Sequence, residues 1–177
     1  MKKTLFILAI LSVFALPLSA QQFNDLDKSP ADIAAYPSKY NVSDKMVRVI
    51  YSRPQLKDRD VANLAPTGKV WRTGANEAAE ITFYKDAMVG GKSVKAGTYS
   101  LFTIPGEGEW TVILNNNLNQ WGAYSYDNAA DVVRVTAKAS SDDNSLEAFS
   151  IAFKEVDGGA HMVMGWGNVR VATPMTF

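Results

Sequence analysis

The chain of 177 residues has no cysteine and a single histidine, His161. Without thiols it can form no disulfide, no cysteine-linked lipid anchor and no thiolate metal site. One imidazole is too few for a structural zinc site, and a Ser-His-Asp triad would have to use His161. No Gly-x-Ser-x-Gly elbow accompanies that histidine. Neither Gly106-Glu107-Gly108 nor Gly165-Trp166-Gly167 continues into the strand-to-helix pattern of a phosphate loop. Asp142-Asp143-Asn144 lacks the spacing and terminal Glu of a calcium loop. No cofactor and no metal ion are therefore expected. An excess of either charge is also missing, since 18 basic residues balance 18 acidic ones. That argues against a nucleic-acid partner, which needs a basic patch to displace phosphate counterions, and against a polybasic membrane-surface role.

Long apolar runs are scarce as well. Lys2 and Lys3 precede an apolar run from Leu5 to Leu16, which ends at Pro17 and is followed by Ser19-Ala20. A charged start, a short apolar core and small residues before a polar stretch form the signature of a secretory signal. The run is too short for a membrane span, which takes roughly 20 apolar residues. Residues 1–20 are read as a signal peptide cleaved near Ala20, which predicts a periplasmic or secreted protein with no membrane span in the mature chain. Cleavage leaves 157 residues, with 16 basic against 18 acidic side chains once Lys2 and Lys3 are gone. A chain of that size buries roughly 70% of its unfolded surface, enough for one core without covalent staples.

Residues 21–41 form a polar lead-in. Ser29-Pro30 has the chemistry of a helix start, with Ser as cap and Pro in the first turn, and Pro37 would stop that helix after about two turns. Asn41-Val42-Ser43 matches a glycosylation sequon, which three residues often do by chance. From Met46 onward, apolar residues alternate with period two. Val47, Val49 and Tyr51 point one way, and Arg48 and Ser52 the other. The pattern recurs at Ile81 and Phe83; at Trp110, Val112 and Leu114; at Val133, Val135 and Ala137; at Phe149, Ile151 and Phe153; at Met162, Met164 and Trp166; and at Val169 and Val171. Gly90-Gly91, Pro105 to Gly108, Asp142 to Asn144 and Asp157 to Gly159 supply turn chemistry between them. Residues 42–177 are thus expected to form a mostly β domain, a single antiparallel β-sandwich with a closed barrel as the alternative.

Two stretches interrupt the alternation with side chains suited to binding. Trp71, Arg72, Asn76 and Glu77 lie in the first, around the flexible Gly74. Trp121, Tyr124, Tyr126 and Asp127 lie in the second. Aromatic faces bury area while amides, carboxylates and guanidinium groups fix orientation, a combination that fits a small polar or carbohydrate-like ligand, or a peptide. Arg53 is a third candidate, because Pro54 forces it into an extended conformation. In a sheet protein the same residues have a plain structural role, with the Trp plugging the core and the Arg pinning a loop. No catalytic residue is assigned. Glu77 with Asp127 or Asp131 would hydrolyse a glycoside only if held about 5–9 Å apart. An envelope interaction module without a small-molecule site is the remaining alternative.

Several longer motifs carry a resemblance. Tyr51 to Pro54, Gly68 to Glu77, Ala96 to Pro105, Trp110 and Gln120 to Asp127 resemble, in this order, the secreted bacterial proteins grouped as domain of unknown function 2911. The similarity runs from about Val42 to Thr173. It implies a periplasmic or secreted bacterial protein and brings no established activity or catalytic residue. Gly167 departs from the pattern, since an acidic residue is expected after Trp166.

Overall fold

The computed structural model describes residues 22–177, so the signal peptide expected at residues 1–20 lies outside the described residues. The strands are β1 (Ala31–Tyr36), β2 (Val47–Ser52), β3 (Ala79–Phe83), β4 (Ala87–Val89), β5 (Lys92–Val94), β6 (Gly97–Ile104), β7 (Glu109–Asn115), β8 (Asp131–Val156) and β9 (Gly159–Thr176). One short helix, α1 (Val61–Leu64), and a 3-10 turn at Asn128–Ala130 accompany them. Among the described residues, no helix is long and apolar enough to cross a membrane.

All nine strands belong to one antiparallel sheet in the order β1-β2-β3-β6-β7-β8-β9-β4-β5. The fold is mostly β, as the alternation predicts. The expected two sheets of a sandwich are instead one continuous sheet, and it does not close into a barrel because β1 and β5 remain its two edges. Length explains the difference. β8 pairs with β7 through its first third and with β9 along the rest, so two long strands span what would otherwise be separate layers. The sheet then curls until β8 reaches back to β2. Tyr51 Oη accepts from the Ile151 amide at 2.9 Å, and the Leu56 amide donates to the Glu147 carbonyl at 2.9 Å.

The expected helix after Pro30 is corrected to strand β1, paired residue for residue with β2 from Ala31↔Ser52 to Tyr36↔Val47. Six residues between two prolines make only a marginal helix in water, whereas the open edge of β2 satisfies their backbone groups. Asp142-Asp143-Asn144 is also corrected, from a chain reversal to an irregularity inside β8. The Asn144 amide donates to Asp142 Oδ1 at 2.8 Å, and the register with β9 shifts between Ser141 and Leu146. The local turn chemistry is therefore used to bend a strand. Opposite the bend, Gly167 sits at φ 52° and pairs with Leu146. The two-residue reversals at Gly90-Gly91 and Asp157-Gly158 fall as expected, the first with φ 54° and 81°, a backbone that favours glycine at both positions.

Inward-facing residues of every strand build one core. Val47, Val49, Ile81, Leu101, Val112, Leu114 and Met162 are fully buried in it. At its centre the indoles of Trp71 and Trp166 stack with centroids 5.4 Å apart, and Phe149 meets both edge-on. A second, smaller cluster of Ala78, Phe102 and Ile113 lies on the other face of the sheet, covered by Ala123 and Tyr126.

Candidate functional site

That small cluster anchors the loop between β7 and β8, which carries most of the aromatic candidates. Its backbone is tied to the segment before β3: the Ala78 amide donates to the Gln120 carbonyl at 2.8 Å, and the Gly122 amide to the Asn76 carbonyl at 3.0 Å. Glu77 and Trp121 face each other across a single antiparallel bridge. The two stretches chosen from sequence are therefore adjacent in space. The Asn119 amide also reaches Glu80 Oε1 at 3.2 Å, which lays the loop over the outer face of β3.

Arg72, Asn76, Glu77, Trp121 and Tyr124 come together here. Arg72 Nη1 donates to the Asn76 carbonyl at 3.1 Å, so one oxygen of Asn76 holds both the guanidinium and the Gly122 amide. Gly122 has φ 71°, and a Cβ placed on it would lie 2.7 Å from Tyr124 Cε2 and 3.3 Å from Arg72 Nη1. The tyrosine ring and the guanidinium both lie close to Gly122, whose left-handed backbone favours glycine. Asn76 itself has φ 60°, a left-handed conformation that Asn tolerates better than most residues. Trp121 and Tyr124 remain 63% and 82% exposed. Two exposed aromatic side chains thus stand on one pinned loop, whose backbone neighbours are the residues around Arg72 and Glu77.

The other candidates are engaged elsewhere. Trp71 is buried at the centre of the core and presents nothing to a ligand. Arg53 clamps the curled sheet: its Nε donates to the Phe149 carbonyl at 3.0 Å, Nη2 to Ser150 Oγ at 2.7 Å and Nη1 to Asp32 Oδ2 at 3.1 Å. Tyr126 packs edge-on against Phe102 and donates its hydroxyl to Asp131 Oδ2 at 2.6 Å, while Arg134 Nη1 donates to both. Burial first, and then the Asp131 carboxylate, push the Tyr126 phenol up to about 12, with Arg134 acting in the opposite direction. Asp127 caps the 3-10 turn by accepting from the Ala129 amide at 2.9 Å.

These contacts weigh against paired-carboxylate chemistry. Asp131 accepts from Tyr126, Arg134 and Asn115 Nδ2, the last at 2.8 Å, and Asp127 is committed to its cap. Among the described residues no group of three or more His, Asp or Glu side chains is placed to hold a metal ion. Asp32 and Ser150, which complete the Arg53 clamp, lie far from it in sequence, and no local pattern marks them. His161 is half-buried in β9, opposite Lys154.

The chain belongs to the family described as Protein of unknown function (DUF2911), whose model matches residues 29–175. No curated protein and no solved structure matches it. The match takes in β1 and both stretches of the aromatic surface. At the one departure noted from the family pattern, a Cβ on Gly167 would lie 3.2 Å from Val61 Cγ2 and 3.7 Å from Leu56 Cδ1. An acidic side chain there would start from a strained backbone against two apolar neighbours.

Proposed function

We propose that this is an exported, non-catalytic protein that binds a small polar, carbohydrate-like ligand on the surface formed by Trp121 and Tyr124. One observation carries the reading: two large aromatic side chains stand in water on a loop whose backbone is pinned to its neighbour. An exposed indole and phenol gain by covering an apolar face, and hiding about 100 Å² of such surface contributes roughly 2.5 kcal/mol. The C–H face of a sugar ring offers that surface, while its hydroxyls suit the donors of Arg72 and the acceptors of Glu77. Little ordering is needed on binding, because the loop is already tied down at Gln120 and Gly122. Openness favours an extended ligand lying across the rings over a small molecule swallowed in a pocket. The commitment of Asp127 and Asp131 to structural contacts favours binding over hydrolysis.

Export rests on Lys2, Lys3, the apolar run and Ser19-Ala20. Envelope or extracellular glycans are then the ligands within reach. The test is a thermal-shift panel of residues 21–177 against neutral oligosaccharides, acidic oligosaccharides, amino acids and short peptides. A specific ligand raises Tm by mass action. A saturable rise with an oligosaccharide is expected. A rise with peptides alone, or with nothing, overturns the ligand class. Export is tested separately, by N-terminal sequencing of the full chain expressed with an envelope fraction: a start at Gln21 is expected, and retention of Met1 in the cytoplasmic fraction contradicts it.

A further inference from the structure

Arg48 differs from the other arginines of the described residues. Arg53, Arg59, Arg72, Arg134 and Arg170 each donate to at least one protein oxygen. Arg48 donates to none, and its Nε is buried without a partner. A buried donor left unpaired is costly, and native structures rarely tolerate one without a compensating role. The side chain is nonetheless held in place. Its guanidinium carbon lies 6.0 Å from the centroid of the Tyr84 ring, a cation–π contact. Both residues line a cleft of about 320 Å³ with Ser43, Asp44 and Lys45.

The charges around this cleft leave it positive. Asp44 is offset by Lys85, whose Nζ is 3.5 Å from its Oδ2. Lys45 Nζ is turned to the backbone, donating to the Pro37 and Lys39 carbonyls at 2.6 and 2.8 Å. Those neutral acceptors hold its ammonium beside the cleft without cancelling its charge. The outer Nη1 and Nη2 groups of Arg48 make no hydrogen bond to the protein either, so Arg48 presents the end of its guanidinium to the cleft as a fork of donors, backed by an aromatic ring and with a second cation nearby. A planar fork of this kind matches the oxygens of a carboxylate, sulfate or phosphate, which accept two parallel hydrogen bonds from it.

We propose that the Arg48–Tyr84 cleft is an oxyanion-binding site, taking the carboxylate, sulfate or phosphate group of a small ligand. The site is formed by Arg48 of β2, the loop before β2 and Tyr84 just after β3, and it is independent of Trp121 and Tyr124, so either proposal can fail alone. The side chain of Arg48 points out from β2 between the buried Val47 and Val49, so its replacement leaves the core untouched.

The experiment is a titration of 15N-labelled protein with sodium acetate, sodium sulfate and sodium phosphate, each against sodium chloride at matched ionic strength. The signals followed are the Arg48 Nε–H correlation and the Tyr84 ring resonances. Saturable shifts with at least one oxyanion and none with chloride are expected, and the oxyanion with the lowest midpoint identifies the group recognised. In Arg48→Gln the Tyr84 response should weaken at least tenfold. Shifts that track ionic strength equally in all four salts overturn the proposal. So does a Tyr84 response unchanged in Arg48→Gln. Should that variant fold poorly, the four-salt comparison on the wild-type protein decides the matter by itself.

Discussion

Trp71 lies flat against Trp166, with ring planes 14° apart and centroids 5.4 Å apart, although 95 positions separate them in the chain. The contact joins the loop before β3 to the point where β9 bends, and so ties the curl of the sheet to the segment that carries Arg72, Asn76 and Glu77. Trp166 is held in turn by its Nε1, which donates to the Glu147 carbonyl at 3.2 Å. Replacing Trp71 by alanine should cost about 3–5 kcal/mol, the range for emptying a buried aromatic site. In a double-mutant cycle with Trp166→Phe, chemical denaturation should return a coupling of about 0.5–1.5 kcal/mol.

Arg53 should act through stability alone. It makes three hydrogen bonds from one guanidinium, to Asp32, Phe149 and Ser150. Arg53→Ala is expected to lower the unfolding free energy by about 1–3 kcal/mol, with the partly exposed Asp32 pair contributing the smaller share. Arg53→Lys should recover little, because an ammonium cannot reach the three acceptors as a planar fork does. Urea midpoints of the three proteins check this.

Tyr126 should titrate late. Its phenol is raised to about 12 from the ordinary 10, chiefly by burial. The folded state thus favours the protonated phenol. Its contribution to stability is fully present below pH 10 and is lost as the pH climbs through 10 towards 12. Tyrosinate absorbance of wild type minus Tyr126→Phe should show a step near pH 12. A step near pH 10 would mean that the Asp131 contact and the packing on Phe102 are not formed.

Asn76 tests the local backbone. At φ 60° its conformation suits glycine or asparagine. Asn76→Gly should leave stability within about 0.5 kcal/mol, whereas Asn76→Ala should cost about 1 kcal/mol or more. Thermal unfolding distinguishes the two. Equal losses would show that the Asn side chain, and not the turn, is what matters.

Much of this architecture can be read in the sequence, because burial imposes alternation. Val47, Val49 and Tyr51, or Met162, Met164 and Trp166, face inward as their period-two pattern predicts. What escapes is whatever depends on distant partners. Ala31–Tyr36 has a capping signal for a helix, yet the unpaired edge of β2 decides its state. Asp142 to Asn144 has turn residues, but β9 continues alongside, so the chain bends without reversing. The same limit divides the candidate site. Arg72, Asn76, Glu77, Trp121 and Tyr124 are brought together by backbone bridges, whereas Trp71 and Arg53 find partners on β8 and β9 and serve the fold. Composition marks both sets alike, since an aromatic beside an arginine is equally suited to either task. In the sequence Arg48 is legible only as an outward residue of a strand; its lack of a partner emerges from the packing around Tyr84.

The most direct test of the proposed ligand surface is calorimetric titration of the oligosaccharide with the largest thermal shift into wild type, Trp121→Ala and Tyr124→Ala. Both side chains are exposed, so neither change should lower Tm by more than a degree or two. Each should weaken binding at least tenfold, as expected when a stacking aromatic is removed from an open site. Unchanged affinity in both variants would contradict the account, because the ligand would then be held somewhere other than on Trp121 and Tyr124.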